Sequence, residues 1–333
     1  MSSIKLDIVL KNAINTMNEK GTSKGDEMVV TGIKHAEGKK GPRYFIEGKG
    51  DQEFIKMNSN SYLGMSLNQN VIKAEEDAAR IFGAGPGAVR FISGTHEAHI
   101  KLERKIAKFH GRQTAMIFSS AYVTSMGVIV PLATKESVFI SDELNHNCII
   151  QAMRLSRPAG KYIYKHNNIA DLEKKINEAV GNGKRALVVT DGIFSMRGDN
   201  VPLFELVDIC RKYEDQFEEG IITIMDDSHG VGAIGATGRG TEEYTNTKVD
   251  IIIGTLGKAF GVNGGYVVAS PTIIKFLRET APMYIYSNPI TVSEASAARK
   301  SIEILDSPEG LRILKHLYTM TKRFETGLKA AGY

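Results

Sequence analysis

From residue 114 to residue 269 the sequence repeats one pattern, a short apolar run followed by a stretch of helical periodicity. The runs fall at 114–119, 137–140, 162–164, 186–190, 221–225, 250–253 and 266–269. Several are apolar at consecutive positions instead of alternate ones. A strand with one face in water alternates, whereas a strand covered on both faces does not. Between the runs, Leu172, Ile176 and Ala179 recur at helical spacing behind Asn168, a good N-cap residue. Leu203, Leu206, Val207 and Cys210 mark a second helical stripe. Strands that alternate with helices predict an α/β fold, a mostly parallel seven-stranded sheet with helices on both faces.

The flanks differ. Residues 1–60 are polar and rich in Gly and Lys, and read as an N-terminal helix followed by two short strands. Residues 61–288 form the expected large domain, and 289–333 the start of a smaller C-terminal one. This tail is helical apart from a break at Ser307-Pro308-Glu309-Gly310.

Composition narrows the function. The net charge is only +4 and the basic residues are dispersed, which argues against a dedicated nucleic-acid binder. Cys148 and Cys210 sit among apolar neighbours and read as small buried hydrophobes, so no disulfide framework is expected. No apolar run approaches the roughly 18 residues of a membrane span. The first residues lack the basic-then-apolar pattern of a signal peptide. The expectation is a soluble, cytoplasmic protein that acts on small molecules.

Several motifs fail for want of context. Gly83-Ala84-Gly85-Pro86-Gly87 follows a predicted helix, not the strand a dinucleotide loop requires. Gly254-Thr255-Leu256-Gly257-Lys258 is too short between its glycines for a Walker loop, and the histidines and cysteines have no zinc spacing, so no metal is expected.

Two loops carry more. The run 221–225 leads into Asp226-Asp227-Ser228-His229-Gly230, and the run 250–253 leads into Gly254-Thr255-Leu256-Gly257-Lys258. Taken singly, these are a capping Asp with a structural His and a solvated loop Lys. Taken together they make one device. A lysine forms an imine with an aldehyde cofactor, and a carboxylate beside a pyridine nitrogen keeps that ring protonated as an electron sink. The intervening length places Asp226 and Lys258 at neighbouring strand ends. Ser119-Ser120-Ala121-Tyr122 after the first run begins a helix whose free N–H groups suit a phosphate. His146, after the second run, reads either as a ring that lies on the cofactor or as a polar loop histidine. Ser195, after the fourth, reads either as a cofactor or substrate contact or as a turn hydroxyl.

These landmarks resemble the α-oxoamine synthases, fold-type I pyridoxal-phosphate enzymes that join an amino acid to an acyl-CoA. The resemblance runs in order over Asn60-Ser61-Tyr62-Leu63-Gly64, Gly85 to Thr95, His99 with Glu103, Asp142 to His146, Thr190 to Met196, Asp226 to Gly230, Gly254 to Lys258, and Tyr286-Ser287-Asn288. It implies that Lys258 is the Schiff-base lysine and moves the substrate α-proton. It also implies that Asp226 pairs with the ring nitrogen, His229 with the ring hydroxyl, and that His146 stacks on the ring. Ala121, Tyr122 and Thr255 would hold the phosphate, joined by Ser287 and Asn288 of a second copy in a homodimer with shared sites. Asn60 and Ser195 would contact the substrate. Glycine and a short acyl-CoA such as acetyl-CoA are the expected substrates. The alternatives are an 8-amino-7-oxononanoate synthase-like activity, an aminotransferase on the same fold, or a cofactor-binding but inactive subunit. The last is raised because the family continues past the position of Tyr333 into its small domain. The run after Lys258 and the segment 289–292 also depart from the family pattern.

Overall fold

The computed structural model describes residues 4–333. They divide after Ser59 into two compact units. The first contains α1 (Ile4–Glu19) and an antiparallel pair, β1 (Val30–Lys34) and β2 (Arg43–Ile46).

The second unit holds the sheet. It opens with α2 (Gln69–Phe82), a single π turn at Arg90–Gly94, and α3 (Glu97–Phe109). Strands and helices then alternate: β3 (Thr114–Phe118), α4 (Ala121–Leu132), β4 (Ser137–Asp142), α5 (Asn147–Ser156), β5 (Gly160–Tyr164) and α6 (Ile169–Ala179). They continue through β6 (Arg185–Asp191), α7 (Leu203–Tyr213), β7 (Ile221–Asp226), α8 (Thr241–Thr245), β8 (Ile251–Thr255) and β9 (Gly265–Ala269). Four helices close the chain: α9 (Pro271–Thr280), α10 (Pro282–Ile285), α11 (Val292–Leu305) and α12 (Pro308–Ala330). No helix among the described residues is long and apolar enough to cross a membrane.

The strand order is β3-β9-β8-β7-β6-β4-β5, with every pair parallel except those made by β9. β9 is reversed because only residues 256–264 separate it from β8, too few for a crossover helix but enough for a hairpin. β3 lies at one edge with β9 as its single neighbour.

The consecutive apolar positions have their explanation in two cores, one on each face of the sheet. Ile117, Val138, Ile140 and Val188 face one side, against α3, α6, α7 and α11. Met116, Phe118, Phe139, Leu187 and Val189 face the other, against α4, α5 and α9. The two helical stripes read from the sequence are buried throughout, and the Asn168 side chain accepts from the Asp171 N–H as an N-cap. α11 packs into the same unit through Val292, Ala295, Ala298 and Ile302, whereas α12 buries only Gly310 and Leu314.

One buried base sets an acid limit on this fold. The His110 ring meets the Tyr266 hydroxyl at 2.9 Å, and burial, with Arg112 and Arg239 nearby, pushes its pKa down to about 3. The unfolded chain protonates this ring near the ordinary value and the folded chain does not. Its contribution to stability is therefore complete above the ordinary imidazole pKa and is lost as pH falls toward 3. Over that window the loss approaches about 1.4 kcal/mol per pH unit, the effect of one proton. Urea unfolding at stepped pH is expected to show this slope, and His110→Gln to flatten it.

Candidate active site

Three parallel strands end in a carboxylate at the same sheet edge: β4 in Asp142, β6 in Asp191 and β7 in Asp226. Asp191 lies opposite Asp226, and Asp226 opposite Ile253 of β8. Open α/β sheets take their ligands at this carboxyl edge. A cavity is found there. Ala121 and Tyr122 line it from the start of α4, and His146 and Cys148 from the start of α5. Asp191 and Ser195 enter after β6, Asp226, Ser228 and His229 after β7, and Lys258 after β8.

The loop after β7 is held by the neighbour of Asp226. The Asp227 carboxylate accepts from the Thr241 N–H at 2.8 Å and the Thr241 hydroxyl at 2.6 Å, while its own N–H donates to Ile253 O. Glycines crowd it, since a Cβ at Gly192, Gly230 or Gly240 would overlap the carboxylate. Burial raises its pKa to about 7 against the pull of the Thr241 donors. With Asp227 turned away into this anchor, Asp226 is left at the cavity. Its Oδ1 accepts from the Ser228 N–H at 3.0 Å and its Oδ2 from the Ser125 hydroxyl at 3.3 Å.

Electrostatics suit the lysine to nucleophilic work. Burial lowers the Lys258 pKa, although the charges of Asp226 and Asp191 oppose the shift. A lowered pKa raises the fraction of free amine, the form that attacks a carbonyl. Asp191 moves the other way, its pKa raised by burial and by Asp226 beside it.

The two histidines are oriented from behind. His229 is kept neutral because burial and the Lys258 charge push its pKa down to about 4. Burial raises the Tyr62 pKa, so Tyr62 keeps its proton, and its hydroxyl oxygen lies 2.7 Å from His229 Nδ1, a contact that fixes the ring. His146 caps α5, and its Nδ1 accepts from the Cys148 N–H at 3.2 Å. Its own N–H donates to Asp191 Oδ2 at 2.9 Å.

At the start of α4, the Ser120 hydroxyl accepts from Val123 N and the Ser120 carbonyl accepts from Thr124 N. Among the described residues the first-turn N–H groups of Ala121 and Tyr122 have no such acceptor, as expected for the first positions of a helix. Gly265 lets β9 pass close by, since a Cβ there would overlap Ala121 N and Thr124 Oγ1.

Of the residues singled out from the sequence, Ala121, Tyr122, His146, Ser195, Asp226, His229 and Lys258 share this cavity. Four do not line it. The Thr255 hydroxyl closes the turn after β8, accepting from Gly257 N at 3.1 Å. Asn60 is exposed, and its Oδ1 accepts from the Tyr62 hydroxyl at 3.3 Å. Ser287 is half-buried and Asn288 exposed, both in the turn after α10. Three lining residues were passed over: Asp191, Cys148 and Ser228. Cys148 is buried as expected, but its sulfur lies 3.0 Å from His146 Nδ1 and 3.8 Å from Asp226 Oδ2. Burial and the Asp226 charge raise the thiol to about 12, so it stays protonated. The Ser228 hydroxyl is buried without a hydrogen-bond partner. The signal for all three was position: Asp191 directly follows the apolar run 186–190, Ser228 adjoins His229, and Cys148 lies two residues after His146.

Comparison with known proteins places this geometry. A family model described as aminotransferase class I and II matches residues 52–333. The 8-amino-7-oxononanoate synthase of Thermosipho melanesiensis is 36% identical over 307 residues, covering 92% of this chain and 75% of that protein. The mitochondrial 2-amino-3-ketobutyrate coenzyme A ligase of Bos taurus is 37% identical over 328 residues, covering 98% of this chain and 74% of that protein. Among solved structures, a serine palmitoyltransferase from S. paucimobilis with PLP and myriocin bound is similar at a TM-score of 0.86 and 26% identity. That match covers 100% of this chain and 82% of the other.

Proposed function

Because the chain belongs to the class I and II aminotransferase family, and within it to the pyridoxal-phosphate-dependent α-oxoamine synthases, we propose that it acylates the α-carbon of glycine with a short acyl-CoA. The observation that carries the chemistry is the pairing of Lys258, an amine with a lowered pKa, with Asp226 at the neighbouring strand end. The substrate choice rests on the alignment with 2-amino-3-ketobutyrate coenzyme A ligase over 98% of the chain. The compound in that name is glycine bearing an acetyl group on its α-carbon.

The residues of the cavity fit pyridoxal phosphate. They supply an amine, a carboxylate, unpaired N–H groups at the start of α4 and a buried Ser228 hydroxyl without a partner. When bound, the cofactor supplies an aldehyde for covalent attachment and a ring that spreads the negative charge of a deprotonated α-carbon. Each side chain then has a task. The Lys258 amine would hold the cofactor through its aldehyde and would take up the α-proton of the substrate. Asp226 would hold a proton at the ring nitrogen. His229, neutral and fixed by Tyr62, would hydrogen-bond the ring hydroxyl. His146 would face the ring, and the N–H groups of Ala121 and Tyr122 would donate to the phosphate. Ser195 and Asn60 orient the substrate, Asn60 through movement of its loop or through Tyr62. The α-carbon would form a C–C bond to the thioester carbonyl as the C–S bond breaks, and the α-proton held by Lys258 would pass to the departing sulfur, so that CoA leaves as its thiol.

The chain works as a homodimer in this reading. Ser287 and Asn288 lie outside their own cavity next to Tyr286, whose side chain is 79% exposed, and they serve the phosphate of the second copy. Thr255 joins them only if its turn reopens. Asn288→Ala is a direct check, since it weakens cofactor retention only where the copies share their sites.

The test is an assay of the cofactor-loaded protein. Glycine with acetyl-CoA is expected to release free thiol, with a 2-amino-3-oxo acid as the second product. Thiol release with alanine and pimeloyl-CoA alone moves the assignment to 8-amino-7-oxononanoate synthesis. Amino transfer to a keto acid without thiol release replaces acyl transfer with aminotransfer. A loaded protein silent in all three assays supports an inactive subunit.

A further inference from the structure

The link between β5 and α6 does not line the cavity, yet it ties together two loops that do. His166 in this link places Nδ1 3.0 Å from Asp142 Oδ1 and Nε2 3.1 Å from Asp199 Oδ2. Asn167 reinforces both sides. Its N–H donates to Asp142 Oδ2 at 2.9 Å, and its side-chain amide donates to Asn200 O at 3.1 Å. The His166 ring stands edge-on to Phe194, with centroids 4.4 Å apart.

Each carboxylate leads to the cavity by a short path. Asp142 Oδ1 also accepts from Leu144 N at 2.8 Å, which shapes the turn into Asn145 and His146. Asp199 closes the loop that carries Ser195, its carbonyl accepting from Phe194 N at 3.1 Å, while Gly198 N donates to Phe194 O at 2.7 Å. An ionised carboxylate only accepts, so both contacts need a donor from the ring. A neutral imidazole has one N–H and the imidazolium has two.

We propose that His166 is a positioning residue whose imidazolium fastens the Ser195 loop to the His146 strand end, so that the amino-acid substrate is held less well as pH rises and the ring loses its second N–H. Asp142 is buried and doubly bonded from the backbone, so the released partner is Asp199, which lies on the more exposed loop. The charged groups around the ring are Asp142 and Glu143 from β4 and the turn after it, and Asp199 with its partner Arg197 from the Ser195 loop. Lys165 and Asp171 adjoin it on its own segment. Burial disfavours the charged ring, but the hydrogen bonds to Asp142 and Asp199 and their charges outweigh it, and the pKa is raised. The fastening is therefore complete below the ordinary imidazole pKa and persists beyond it. It is lost as pH climbs through the raised value.

The kinetic half of the test rests on the proposed acyl transfer, and the exchange half does not. Amide hydrogen exchange over residues 194–200 is followed in the cofactor-loaded wild type, His166→Gln and Asp199→Asn. The series spans about pH 6 to 9, the range a raised imidazole crosses. After correction for intrinsic exchange, wild-type protection is expected to fall about tenfold with rising pH, the factor set by one charge-assisted hydrogen bond. Both variants are expected to show the low value at every pH. In the same series the wild-type KM for glycine rises about tenfold with little change in kcat, and both variants hold the high KM with a flat profile. Asp199→Asn carries the test alone if His166→Gln does not fold. A protein without turnover on any substrate removes the kinetic half and leaves the exchange result to decide. Variants that lose thermal stability but keep the wild-type protection profile would make His166 a structural brace and overturn the proposal.

Discussion

Lys258→Ala is expected to abolish covalent attachment of the cofactor and with it nearly all turnover. The purified wild type should carry a visible absorption band that borohydride discharges, and the variant should lack it even after addition of pyridoxal phosphate. The loss is large because one amine has two jobs. In the proposed function it attaches the cofactor and moves the α-proton, a role that by itself is worth about 10²–10⁴-fold. The fold should survive, since Lys258 is half-buried in a loop and makes no ion pair in the structure among the described residues. Thermal unfolding of the cofactor-free proteins checks this. A variant that retains the borohydride-sensitive band would show that another lysine does the work.

Asp226→Asn is expected to leave a folded protein that binds the cofactor weakly and turns over about 10²–10³-fold more slowly, the scale seen when one preorganised electrostatic contact is removed. The substitution keeps the side chain's shape and an oxygen for the Ser228 N–H, but removes the charge. Two neighbours report the change independently of activity. Asp226 is the first charge opposing the burial that lowers the Lys258 pKa, so that pKa should fall further. Asp226 also raises the Asp191 pKa, which should drop toward its ordinary value. Both shifts can be followed by NMR titration of the cofactor-free protein. Full turnover in Asp226→Asn would remove Asp226 from the chemistry.

The sheet was legible because burial on both faces leaves a plain mark. Residues 186–190 are apolar to Val189 since Val188 enters one core and Leu187 and Val189 the other. The pairing of Asp226 with Lys258 was legible because both follow such runs directly, and register did the rest. Other residues were hidden by facts that composition does not carry. Asp191 was passed over because only the register sets it opposite Asp226. Cys148 was read as a core side chain, and it is buried, but its wall of the core is also the wall of the cavity. Thr255 was assigned a cofactor contact, and its hydroxyl also accepts from Gly257 N in the turn that presents Lys258. A hydroxyl's partner is decided by local backbone geometry, which spacing along the chain does not reveal.

The place of β3 at the sheet edge bears on how this protein emerges from the ribosome. Its one strand partner, β9, is the last strand to be translated. At about 5–20 residues per second, β3 and the α4 turn it supports wait roughly eight to thirty seconds for that partner. During this interval Met116, Ile117 and Phe118 have no neighbouring strand, and the open edge is exposed to mispairing until β9 arrives. Synonymous codon changes that slow translation between β3 and β9 are therefore a sensitive place to alter the yield of soluble enzyme without altering a single residue of it.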